Sequence, residues 1–229
     1  MATSGTTAFT LDLTEVVEEA FERAGAEMRS GYDLRTARRS LNLLFADWAN
    51  RGINMWTIEQ GSIPLVAGTA TYVLPADTVD LLDHVVRTND GVTALQTDIS
   101  ITRISMPTYS SIPNKLTEGR PIQLYVERLN TPQFTVWPVP ETGSSYTLVY
   151  WRLRRIQDAG SGVNTMDMPF RFLPAMIAGL AYYLALKVPD GMARLDVLKQ
   201  QYDESWQLAS GEDRERAAVR FVPRQQFIG

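Results

Sequence analysis

The hydrophobic period of this chain changes twice along its length. From Thr14 to Arg51 apolar side chains recur every three or four residues; from Met55 to Leu153 they alternate in short runs; after Asn164 the longer spacing returns. Spacing near 3.6 lines one face of a helix and alternation lines one face of a strand, so neither pattern can bury its apolar groups in the other structure. The order predicts an α+β protein. It should comprise a helical bundle from N- and C-terminal hairpins, an inserted antiparallel β module and an extended C-terminal arm.

Residues 1–52 are expected to supply the first hairpin. Leu13, Val17, Ala20, Phe21, Ala24 and Met28 share a face of a helix running from Thr14 to about Met28, with Thr14 as its cap and Gly31 breaking the run. Asp33 is expected to cap a second helix, Leu34 to Arg51, with Leu34, Ala37, Leu41, Leu44, Phe45 and Trp48 in its stripe and Gly52 at its end. The β module should span 53–156. Its strand candidates are Met55–Glu59, Thr71–Leu74, Val79–Arg87, Ile122–Arg128, Phe134–Pro138 and Tyr146–Leu153, with a short helix between Ile101 and Ser111. Short strands at this spacing predict a small sandwich or open barrel. Residues 157–211 should return to the bundle as two helices, one from near Phe170 to before Pro189, the other after Asp190 and ended by Gly211. Residues 212–229 interleave Arg214, Arg216, Arg220 and Arg224 with Val219, Phe221, Val222, Phe227 and Ile228 around Pro223. That stretch carries too little apolar surface to fold alone and reads as an arm.

Composition removes several function classes. The chain has no cysteine, so disulfide frameworks, thiolate catalysis and cysteine-ligated metals are excluded, and a reducing compartment fits. A net charge of -4 argues against general affinity for nucleic acid, which needs a basic surface. The polar start, Met1 to Thr7, does not read as a secretory leader, and the apolar run Phe172–Val188 is too short for a membrane span.

Chemistry is sparse. His84 is the single histidine; strand alternation turns Asp83 to the other face, so no Ser–His–Asp relay is expected, and the ring should make a structural hydrogen bond or face solvent. Asp77, Asp80 and Asp83 lack the surroundings of a calcium loop. Gly160-Ser161-Gly162 matches no phosphate cradle, and the carboxylates Glu15, Glu18, Glu19 and Glu22 read as a solvated helix face. On the strand ending Tyr150-Trp151-Arg152-Leu153-Arg154-Arg155, alternation puts Arg152 and Arg154 on one face, either a charged sheet face or a phosphate contact. No catalytic, metal or cofactor site is expected, and the chain reads as a non-enzymatic structural protein.

Several short motifs give a more specific direction. Ala37-Arg38-Arg39-Ser40-Leu41-Asn42-Leu43-Leu44 runs on to Trp48-Ala49-Asn50-Arg51-Gly52 and Met55-Trp56, and is joined by Gly119-Arg120-Pro121, Trp137-Pro138-Val139-Pro140 and Tyr150-Trp151-Arg152. Together they resemble the head-to-tail adaptors of short-tailed bacteriophages, the tail tubular protein A or head completion family. The resemblance implies a virion protein of the neck or tail, assembled in the host cytoplasm, that forms a ring of about twelve copies between the portal protein and a tail or nozzle protein. DNA would pass through its lumen without specific binding, and no membrane would be involved. It further implies that the arm reaches the portal, with Arg216, Arg220, Phe221, Arg224, Phe227 and Ile228 as the contact residues. Each phenylalanine ring gains about 1.5–3 kcal/mol on full burial, repeated around a ring. The alternatives are another neck or tail completion subunit, a virion-associated cell-wall hydrolase using unpaired carboxylates, or, for the arm alone, folding back on its own bundle.

Overall fold

A computed structural model describes residues 5, 11–29, 31–52, 55–161 and 163–214. It divides into two compact units: the chain up to Leu41 together with Pro169 onward, and Asn42–Met168. The α+β class predicted from the period switch is what the chain adopts, with five α-helices and two four-stranded sheets among the described residues.

The first unit is helical. α1 (Leu13–Ala24) begins two residues earlier in its signals than expected: Asp12, not Thr14, is the cap, and its carboxylate accepts from the Glu15 N–H while Glu15 accepts from the Asp12 N–H. The reciprocal pair satisfies two donors that would otherwise be orphaned at the helix start. The helix also stops before Met28, because Gly25 takes a left-handed conformation (φ 88°) that side chains rarely adopt. Leu13, Val17, Ala20, Phe21 and Ala24 are buried, and α1 packs most closely on α4 (Leu173–Ala185) rather than on its neighbour in sequence.

α4 is apolar on nearly all sides, and α5 (Leu195–Glu212) packs on it through Leu198, Tyr202 and Ala209, with Trp206 tilted against Phe172 at 5.8 Å. Gly211 does not end α5, which runs on to Glu212, and the next residue, Asp213, pairs with Arg171.

α2 spans Gly31–Ala49, so Asp33 lies inside its first turn, where it accepts from the Arg29 N–H, instead of capping it. Its predicted stripe holds at Ala37, Leu41, Leu44, Phe45 and Trp48, which are all buried, but not at Leu34, which is only half-buried.

The second unit is the β module. One sheet has the order β1 (Ile58–Leu65), β8 (Tyr146–Arg154), β3 (Thr78–Thr88), β4 (Thr97–Ser100); the other has β2 (Thr71–Val73), β7 (Gln133–Trp137), β6 (Gln123–Glu127), β5 (Thr102–Ile104). Both sheets feed one core, in which Leu81, Val86, Tyr146 and Leu148 meet Leu124, Phe134 and Val136. Every pairing between these strands is antiparallel except β5 with β6, a departure from the expectation. A parallel neighbour needs a long connection, and residues 105–122 provide it, including the short α3 (Met106–Ser110) that Ser105 caps.

A bulge in β3 explains a side-chain placement that alternation misses. The pairing with β8 shifts register between Leu81 and Asp83, so Leu81 and His84, three apart, are both buried.

At Gly61 on β1, an added Cβ would lie 2.5 Å from the ring of Tyr150, its partner across the sheet. Gly61→Ala is therefore expected to cost about 1–3 kcal/mol through overpacking, read from urea unfolding midpoints. An unchanged midpoint would mean that the Tyr150 ring can swing clear.

Candidate functional site

The densest polar constellation lies where β1, β8 and the start of β3 meet. Arg152 is buried on β8, and its guanidinium donates to Glu59 on β1 (2.8 Å), to Thr78 (2.9 Å) and to both oxygens of Asp77. Arg154, two residues along and on the same face, donates to the other oxygen of Glu59 (2.7 Å) and as a fork to Asp167. Glu59 thus bridges two arginines. Asp167 also accepts from the Gln157 N–H (3.0 Å), and its backbone carbonyl accepts from the indole of Trp56 (3.0 Å).

The charges hold each other in place. Burial opposes the charge on Arg152, but Asp77 and Glu59 outweigh it and raise its pKa above the ordinary value; for Arg154 the bond to Asp167 dominates. Reciprocally, the Arg152 guanidinium holds the Asp77 carboxyl below its usual range. These arginines share a face, as alternation predicted, but they are consumed by carboxylates. They form a lock between strands, so neither Arg152 nor Arg154 is left to meet a phosphate.

His84 occupies neither of the expected environments. It is 6 % exposed, pairs across the sheet with buried Tyr150, and neither ring nitrogen has a hydrogen-bond partner among the described residues. Asp83 bonds to the His84 backbone N–H (2.8 Å), not to the ring, so no relay exists there. Burial pushes the imidazole pKa down. Asp83 opposes the shift and Arg103 reinforces it, while the Ile101 backbone favours the charged ring without reaching hydrogen-bond geometry.

The remaining candidates are structural. Asp80 pairs with Arg103 (2.8 Å) and Arg128, and Asp158 with the Gly160 N–H, so neither the aspartate series nor the glycine loop forms a ligand cradle. No group of three or more acidic or histidine side chains is placed to hold a metal ion among the described residues. Among them, too, no helix is long and apolar enough to cross a membrane. The arm residues Arg216, Arg220, Phe221, Arg224, Phe227 and Ile228 lie outside the described residues.

Two hollows in the β module had no obvious signal in the sequence. One, about 450 Å³, is mostly apolar and lies between Phe45, Ala46 and Ala49 of α2 and Val79 and Ile156. The other, about 520 Å³, is polar and lies between the β3–β4 hairpin and the β7–β8 turn, with Arg120 on its wall. Only the Gly119-Arg120-Pro121 motif pointed near it.

The β module is braced by internal ion pairs, and its candidate polar side chains described above are engaged with one another or buried. Comparison with known families supplies the identity. The model of the SU10 adaptor protein family matches residues 11–224. The chain belongs to that family. The match takes in every element described above and extends through Arg216, Arg220, Phe221 and Arg224, stopping short of Phe227 and Ile228. No curated protein matches the chain. The protein is thus a phage adaptor, a component of the virion, and the resemblance drawn from its short motifs pointed to the right kind of protein.

Proposed function

We propose that this adaptor forms a ring that joins the portal to the tail of a short-tailed phage, with the segment after α5 as its anchor on the portal. The family match over nearly the whole chain carries this reading. A ring is built from heterologous contacts, which require two different complementary faces on each copy. The helical unit and the β module offer such faces. DNA would cross the lumen without sequence-specific binding. The net charge of -4 and the commitment of Arg152 and Arg154 to carboxylates support that part.

Two observations at the end of α5 support an anchor that begins after Arg214. Glu212 belongs to α5 and Asp213 is tied to Arg171, so both are committed to the helical unit and the anchor would start beyond them. Arginines would pair with portal carboxylates while Phe221, Phe227 and Ile228 lose water in a cleft between portal subunits. Deleting residues 215–229 is expected to leave thermal unfolding nearly unchanged and to abolish binding to the portal in a pull-down with the purified partner. Unaltered portal affinity of the truncated chain would place the anchor elsewhere.

Subunits are expected to be monomeric or weakly associated alone and to assemble on the portal. Native mass spectrometry at micromolar concentration tests this; a stable dodecamer without the portal would contradict templated assembly.

A further inference from the structure

Arg120 is the arginine of the β module that no described residue engages. Arg51, Arg87, Arg103, Arg128, Arg152 and Arg154 each pair with a carboxylate, and Arg155 donates to the Ala76 carbonyl. Arg120 has no hydrogen bond or ion pair among the described residues, and it is exposed. Its backbone is nonetheless held firmly. The Gly119 N–H donates to Val139 (2.9 Å), the Val139 N–H to Thr117 (2.9 Å) and the Ile122 N–H to Trp137 (3.1 Å), clamping the turn on both sides against the exit of β7. A cation fixed at its base and unpaired at its tip has lost backbone entropy in advance of binding.

The wall around it is chemically selective. Thr88, Asn89 and Thr97 of the β3–β4 hairpin face Ser144 and Ser145 of the β7–β8 turn across the polar cleft. The Ser145 hydroxyl is unengaged among the described residues, while Ser144 and Tyr146 both donate to Glu141. A guanidinium fork with a nearby hydroxyl suits a carboxylate, which it can grip with two parallel N–H bonds. The Glu141 charge behind the cleft works against a doubly charged phosphate.

A counterpart stands on the other unit. On α1, Glu15 is engaged in the capping box and Glu19 is paired with Arg23, but Glu18 and Glu22 are exposed and have no side-chain partner among the described residues. They lie one turn apart, a like-charge spacing that disfavours the helix until a cation sits between them. We propose that the Arg120 cleft receives the Glu18 and Glu22 carboxylates of a second copy of this chain, forming one polar contact of a head-to-tail subunit interface. The inference rests on the ring reading above.

The absence of cysteine makes a direct test clean. Full-length chain carrying both Arg120→Cys and Glu22→Cys, oxidised after assembly on the portal, should give a ladder of covalent oligomers. Either single variant alone should give none beyond a dimer. In parallel, Arg120→Glu should raise the concentration needed for half-assembly about fivefold, the weight of an exposed ion pair, and combining it with Glu18→Arg and Glu22→Arg should restore it. A wild type that assembles normally, with no ladder and no response to Arg120→Glu, would overturn this contact and leave the ring standing. A wild type that does not assemble on the portal at all would overturn the ring and this contact together.

Discussion

Arg152→Ala is expected to lower the unfolding free energy of the β module by about 3 kcal/mol, read from urea denaturation at neutral pH. The magnitude follows from what is left behind. Removing the guanidinium deprives Asp77, Glu59 and Thr78 of a shared donor, and breaking a buried ion pair costs about 3–5 kcal/mol. The Glu59 and Asp77 side chains are 44 % and 46 % exposed and can rehydrate, which puts the loss at the lower end. Arg152→Lys keeps the charge but loses the fork, and should recover only part of the loss. The effect has a pH signature. Asp77 has its carboxyl lowered by Arg152, so its share of stability is present above the ordinary value of 3.8 and is lost as pH falls through the lower folded value. Wild type and Arg152→Ala should therefore converge in strong acid. A loss under about 0.5 kcal/mol at neutral pH would show the lock to be ornamental.

His84→Leu is expected to stabilise the module by about 1–3 kcal/mol at neutral pH, an unusual direction for a core substitution. A leucine of similar bulk removes two buried nitrogens that lack partners among the described residues, each of which costs free energy in the folded state. It should also flatten the acid limb of stability. The folded imidazole titrates below the ordinary 6.5, so the unfolded chain binds more protons as pH falls, and wild-type stability declines from about pH 6.5 down to the folded value. The leucine variant lacks that slope. Because the chain has one histidine, a single imidazole resonance reports the titration directly. A resonance titrating at 6.5 or above would refute the buried neutral ring.

What the sequence disclosed, and what it did not, separates by the range of the physics. Stripes such as Leu41, Leu44, Phe45 and Trp48 were legible because amphipathic periodicity acts within a few residues. The shared face of Arg152 and Arg154 was legible for the same reason, but not that Glu59, 93 and 95 residues away, would claim both. Asp12 was missed as a cap because Thr14 offers an equally good local signal, and only the reach of Glu15 back to the Asp12 N–H decides between them. The parallel β5 and the β3 bulge had no local signature: each depends on a distant strand and carries a consequence, the second being the burial of His84. Arg120 could not be singled out until every other arginine in the module had found its partner.

The loop between β8 and α4 is fastened at both ends. The Ala159 N–H donates to Asn42 (2.9 Å), Asp167 is gripped by Arg154, and between them Ser161 and Asn164 close a small turn beside Val163, which is 84 % exposed. Tethers on either side absorb a change in length, since extending an already closed loop adds little entropic cost. That makes Val163 a natural graft point, where an epitope or a fluorescent reporter could ride on each copy while the strand lock stays intact.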